Sequence, residues 1–205
     1  MVRSNLTPDV KAALHAINKL PCMHEAQLEY FLPPQKEGYK KDQRVFVISN
    51  FLQRNKMAIK VDEYIYPYAI QKHSISLIDS IWVMIDMLST EYGQDYISDN
   101  IHCILSGDAP VDICYMTESA KTVKLMAITN EANVTMLAFE QNRFYVNTKY
   151  KVGEEDKANT EYVIVIRDEN LLDAIGDLSL TIPHKIALLD YSAGIKPNVR
   201  YFELN

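Results

Sequence analysis

Residues 42–68 decide the reading: Asp42-Gln-Arg-Val-Phe-Val-Ile-Ser-Asn-Phe-Leu-Gln-Arg-Asn55, then Lys56-Met-Ala-Ile-Lys-Val-Asp-Glu-Tyr-Ile-Tyr-Pro-Tyr68. In the first half Val45, Ile48, Phe51 and Leu52 recur at helical spacing, which predicts a helix over 42–55 with these four facing a core. In the second half the period changes. Residues 57–61 and 64–68 flank the turn Asp62-Glu63 and predict a two-stranded hairpin. Alternation along it sets Tyr64, Tyr66 and Tyr68 on one face, where core packing is expected.

Toward the N-terminus, Thr7 is a good N-cap for Pro8 at the first helical position, and Val10, Leu14, Ile17 and Leu20 form an apolar stripe that Pro21 ends. A second helix is expected over 23–32, with Leu28, Phe31 and Leu32 as its apolar edge and Pro33-Pro34 as its stop. A polar loop, 35–41, follows. Three helices and then a hairpin is the order of a winged helix-turn-helix, expected over residues 1–72.

Toward the C-terminus, Ser74 caps a long helix to about Ser89. Ile75, Ile78, Trp82, Ile85 and Leu88 lie on one stripe, and Leu77, Ile81, Met84 and Met87 widen it until burial on two sides is expected. Strands follow at 101–105, 111–116 and 122–129, then a helix over 130–142. After a charged loop, 151–160, come a strand at 162–167, a short helix at 169–175 and strands at 185–190 and 199–204. This interleaving predicts a mixed sheet of about five strands in a second, α/β domain over residues 73–205. The fold class expected is therefore two-domain, α+β with α/β character.

The chain has 205 residues, 48% of them hydrophobic and 23% charged, as in an ordinary globular protein. No apolar run reaches the roughly 18 residues of a membrane span. Residues 1–7 have no secretory apolar core, so a cytoplasmic protein without membrane contact is expected. Cys22, Cys103 and Cys114 have no Cys-x-x-Cys spacing and read as reduced thiols packed as small hydrophobes. The net charge of −6 conceals an asymmetry: residues 1–72 hold 11 Lys or Arg against 7 Asp or Glu, and residues 73–205 hold 10 against 20. A basic N-terminal part can dock on phosphates while the acidic remainder is held away.

The helix at 42–55 carries the chemistry such docking needs. Gln43, Phe46, Asn50, Gln53 and Arg54 fall opposite the core stripe. Asn and Gln pair bidentately with adenine and Arg with guanine, and an exposed aromatic often marks a contact surface. Lys40, Lys41 and Lys56 at the helix ends, and Lys60 before the hairpin turn, suit phosphate contacts. With Arg44 these ten residues form the candidate set for contact with double-stranded DNA. The alternatives for this face are a simply solvated polar surface and a winged helix that binds a protein.

A second chemistry is considered and set below the first. Pro110-Val-Asp112 opens one strand and Thr122-Val-Lys124 the next. A metal-dependent nuclease of the Pro-Asp…(Asp/Glu)-x-Lys kind needs two carboxylates for Mg²⁺ and a lysine for the developing charge. Thr122 occupies the second carboxylate's place, and Glu118 in the intervening turn is a candidate substitute. Asp112 alone reads better as a strand-edge residue with a structural hydrogen bond. The six glycines form no phosphate-binding loop, and the five histidines (His15, His24, His73, His102, His184) form no zinc pattern, so no cofactor, metal or catalytic residue is expected.

Taken in order, the helices and hairpin of 7–70, the helix opening with His73-Ser-Ile-Ser, the strand Pro110-Val-Asp112-Ile and the strand Tyr162-Val-Ile-Val-Ile166 span nearly the whole chain. In this order the chain resembles the plasmid replication-relaxation family and its relatives on mobile elements. The resemblance implies a winged helix before a restriction-endonuclease-like domain, and a DNA transaction in plasmid replication, relaxation or transfer. Leu125-Met-Ala-Ile128 is apolar where that family commonly has Glu-x-Asp, so no active-site residue carries over. The expectation is a non-catalytic, sequence-specific DNA-binding protein whose acidic domain serves as a platform for self-association or for a mobile-element partner. The alternatives are a divalent-metal nuclease using Asp112, Glu118 and Lys124, and a protein-interaction module whose winged helix has lost DNA.

Overall fold

Thr7 sets the start of the first helix, α1 (Pro8–Lys19): its hydroxyl accepts the Val10 amide at 3.4 Å, and Pro8 follows with no amide to leave unpaired. Val10, Ala13, Ala16 and Ile17 are buried along it. In the computed structural model residues 6–34, 41–69, 71–151 and 159–203 are described. They form a mixed α+β protein with a three-stranded and a six-stranded sheet. Two compact units divide the chain, Met1–His102 and Cys103–Asn205.

In the first unit the helix expected from residue 23 starts later and breaks into pieces. Met23–His24 is strand β1, Glu25–Leu28 is α2, and Glu29–Phe31 is a 3₁₀ turn. The cause is a capping box: the His24 ring Nδ1 accepts the Ala26 amide at 3.0 Å, and the Gln27 side chain accepts the His24 amide at 2.9 Å. A helix so capped cannot begin before Glu25. Next comes α3 (Lys41–Arg54). It ends in a Schellman motif, with Met57 N–H bonded to Leu52 C=O at 2.9 Å and Lys56 N–H to Gln53 C=O at 3.0 Å. Lys56 takes the left-handed position there (φ 53°), which glycine usually fills.

The hairpin then forms as β2 (Ala58–Val61) and β3 (Tyr64–Pro67), and β3 also pairs with β1, giving the order β1-β3-β2. Asp62, at φ 54°, makes the turn. Of the three tyrosines expected on the core face, Tyr66 is buried and Tyr64 half-buried, but Tyr68 is exposed because it lies beyond the paired strand. Polar ties fix the sheet to the helices. The Glu63 carbonyl accepts the Glu25 amide at 2.8 Å, and its carboxylate meets His24 Nε2 at 3.2 Å. Glu25 in turn accepts Lys60 Nζ at 2.8 Å and the Ser49 hydroxyl of α3.

The long helix α4 runs Ile75–Tyr92, capped by Ser74 and ended at Gly93, whose φ of 91° suits glycine. Leu77, Ile78, Ile81, Trp82, Met84, Ile85 and Leu88 are buried, as two-sided burial requires, whereas Ile75 at its first turn is exposed. Fully buried Gln27 donates from Nε2 to the Ile78 carbonyl at 2.7 Å. The sequence places a boundary at 72/73. The compact units divide at 102/103, because α4 packs on β1 and α2, and a short helix, α5 (Tyr96–Asp99), follows it.

Burial pushes the Tyr66 phenol up to about 12, helped by the neighbouring Cys22 thiol, while its oxygen lies 2.9 Å from His73 Nδ1. The unfolded tyrosine ionises near 10. The stability tied to this group is therefore complete below pH 10 and lost as pH rises from 10 toward 12. Denaturant melts across that range should show a steeper loss for the wild type than for Tyr66→Phe.

The second unit contains β4 (Ile104–Ser106), β5 (Ile113–Met116), β6 (Thr122–Ile128), α6 (Glu131–Lys151), β7 (Thr160–Ile166), α7 (Leu171–Gly176), β8 (His184–Asp190) and β9 (Asn198–Phe202). The strands lie side by side in chain order. β6, β7 and β8 are parallel and the outer pairings antiparallel. Crossovers that keep one hand while the strands advance in one direction bring α6 and α7 to the same face. There Val134, Leu137, Phe144, Leu171 and Ile175 pack on Met126, Ile128, Ile164, Ile166, Ile186 and Leu188. The run Tyr162–Ile166 is wholly buried, as a central parallel strand should be. The first strand expected, 101–105, begins as a 3₁₀ turn, and the helix expected over 130–142 continues to Lys151. Among the described residues no helix is long and apolar enough to cross a membrane. All three cysteines are free thiols.

Candidate nucleic-acid interface

Helix α3 advances about 100° per residue, so its buried side is centred on Val45, Ile48 and Leu52, with Ser49 beside them. Phe51, expected with the core, is instead 39% exposed. It lies at the margin of the stripe, and Leu52 alone fills the interior at that turn. Directly opposite the core run Gln43, Val47, Asn50 and Arg54, a continuous ridge at spacings of four, three and four residues. Gln43, Val47 and Arg54 are exposed and Asn50 half-buried, with Phe46 flanking the ridge on one side and Phe51 on the other. Val47, 64% exposed, is a member of this face that polarity alone does not find. Only helical geometry, four residues after Gln43 and three before Asn50, reveals it.

The other candidate residues divide into two kinds. Gln53 is exposed at the edge of the ridge, its amide 3.5 Å from the Lys60 carbonyl. Lys56 is exposed just past the helix end. Arg44, by contrast, is committed to the fold. Its Nε and Nη2 donate to the two Asp9 oxygens at 2.9 and 2.8 Å, and Nη2 also donates to the Pro33 carbonyl at 2.8 Å. Its side chain is only 10% exposed, so this guanidinium clamps α3 to α1. Lys60 is similarly tied to Glu25 and lies over the Phe46 ring at 5.6 Å. Lys41 opens α3, and Lys40 lies outside the described residues.

In the second unit the residues of the nuclease alternative are held apart. Asp112 precedes β5 and Glu118 follows it, so a whole strand separates the two carboxylates. One Asp112 oxygen accepts the Ala127 amide at 2.8 Å, the structural hydrogen bond expected of a strand-edge aspartate. Lys124 pairs across the strands with Cys114 and is drawn to α6 instead: its Nζ lies 3.1 Å from the Tyr162 hydroxyl and 3.6 Å from Glu140 Oε1. Tyr162 donates to the same Glu140 oxygen at 3.1 Å, and Arg143 stands 3.6 Å from the other. Glu140 is 1% exposed. Burial first, then the Glu140 charge, pushes the Tyr162 phenol well above its ordinary value. Burial also raises the Cys114 thiol, against the opposing pull of Lys124. Glu140 escapes sequence reading because a single Glu among the mixed polar and apolar residues of α6 gives no sign of burial. Among the described residues no group of three or more His, Cys, Asp or Glu side chains is placed to hold a metal ion.

Comparison of the chain with protein-family models, with curated proteins and with solved structures found no match.

Proposed function

We propose that the chain is a sequence-specific, double-stranded DNA-binding protein, its first unit a winged helix-turn-helix that lays α3 in the major groove. The observation that carries this reading is the ridge Gln43–Val47–Asn50–Arg54, exposed except for the half-buried Asn50, which faces away from the core and offers two amides and a guanidinium in one line. These are the groups that pair bidentately with adenine and guanine edges. Lys56, beside the helix end, is positioned for a phosphate. The second unit, which we read as a degenerate nuclease-like domain, serves in this proposal as a platform for self-association or a partner. The resemblance described above suggests plasmid or conjugative replication, relaxation or transfer as the setting, in the cytoplasm.

The test is selection from a random duplex pool followed by titration of the selected site and of random DNA. Asn50→Ala or Arg54→Ala should cost about 1–3 kcal/mol on the selected site and little on random DNA. Lys56→Ala should weaken both alike and flatten the salt dependence by about one unit. An unchanged specificity ratio in both Asn50→Ala and Arg54→Ala would remove α3 as the reader.

One observation favours a second reading, a protein partner on the same face. Phe46, Val47 and Phe51 are all exposed on α3, 58%, 64% and 39%, more apolar surface than base contacts alone require. The selection experiment separates the two, since a protein-binding face enriches no DNA sequence.

A further inference from the structure

Resting on the reading of α3 as a groove-binding helix, we infer that Val47 is a specificity-determining residue that reads the C5-methyl group of a thymine between the base pairs read by Gln43 and Asn50. Nothing in the fold calls for valine at this position. It is 64% exposed, it makes no part of the buried stripe Val45–Ile48–Leu52, and a β-branched residue weakens an exposed helix surface. Its place is nonetheless central. Gln43 lies one turn before it and Asn50 one turn after it on the same line, with Arg54 a turn further.

The eleven steps from Gln43 to Arg54 rise about 16 Å at 1.5 Å per residue, the span of about five base steps at 3.4 Å each. Each member of the ridge therefore stands about one to two base steps from the next. Two amides suited to adenine bracket a small, branched apolar group. In the major groove the one apolar feature that a base edge presents is the thymine methyl. A short A·T-rich element with a guanine at the Arg54 end is the sequence that satisfies all four side chains together. The apolar flank provided by Phe46 and Phe51 helps to exclude water from that contact.

The experiment uses the full chain and the site selected from a random duplex pool. Each thymine of the site is replaced singly by deoxyuridine, which removes the methyl group and leaves every hydrogen-bonding group in place. At one thymine the wild type should lose about fourfold in affinity, the fold-change for withdrawing one methyl from contact. In Val47→Ala the same replacement should cost nothing further, because the two changes remove one contact. Val47→Ala, at an exposed helix position, should keep or slightly raise the wild-type melting temperature. If every deoxyuridine replacement is neutral in the wild type, or if the loss persists undiminished in Val47→Ala, the assignment of Val47 is overturned while DNA reading by α3 stands. If the pool yields no enriched sequence, the DNA reading fails and this inference fails with it.

Discussion

Replacing Glu140 with Ala should cost about 3 kcal/mol of stability, read as a lower midpoint in urea with an unchanged slope. The carboxylate is buried among Lys124, Arg143 and the Tyr162 hydroxyl, so its removal leaves Lys124 without its carboxylate partner, Arg143 with only the exposed Asp108 at 3.9 Å, and a buried phenol with no acceptor. The figure stands at the lower end of the range for a broken buried pair because the Lys124 and Arg143 side chains are 28% and 38% exposed and water takes part of their charge. Glu140→Gln keeps an acceptor for Tyr162 and should lose less. A loss under about 1 kcal/mol, no more than an exposed ion pair contributes, would mean that the carboxylate does not organise this face of the sheet.

Arg44→Ala should destabilise the protein by about 2–3 kcal/mol, while Arg54→Ala on the same helix should stay within about 0.5 kcal/mol of the wild type. Arg44 makes two hydrogen bonds to Asp9 and one to the Pro33 carbonyl, all to be left unmade at a nearly buried site. Arg54 is exposed. Sequence alone ranks both arginines as DNA contacts. Melting curves of the two variants separate the one that holds the helix from the one available to a ligand, and equal losses would contradict this assignment of roles.

The elements built on strong local signals were legible in the sequence. The α1 cap at Thr7, the change of period after Asn55 and the strand beginning near Tyr162 each follow from residues within one turn or strand, and each stands as expected. What was not legible depends on partners far along the chain. The 23–32 segment reads as one helix until His24 is seen capping at Glu25 while β1 pairs with β3. Phe51 and Leu52 are adjacent and equally apolar, and only the packing of the neighbouring elements decides that Leu52 goes inside. For the candidate interface, periodicity identifies the polar face but not which of its charges are already engaged. Asp9, 35 residues before Arg44, and Glu25, 35 before Lys60, are invisible as partners to any local rule.

The carboxylate of Glu25 joins α2, the middle of α3 and strand β2 through Ser49 and Lys60. Opening the hairpin away from the helices would strand that charge beside a hydroxyl and break the Glu63–Glu25 backbone bond at the same stroke. The hairpin therefore has no inexpensive way to fray alone: its protection against amide exchange should be inherited from α3, and the two form one opening unit of common free energy. A chain built in this way meets a rigid ligand with its helix and hairpin already in register, and little ordering of the hairpin remains to be done on contact.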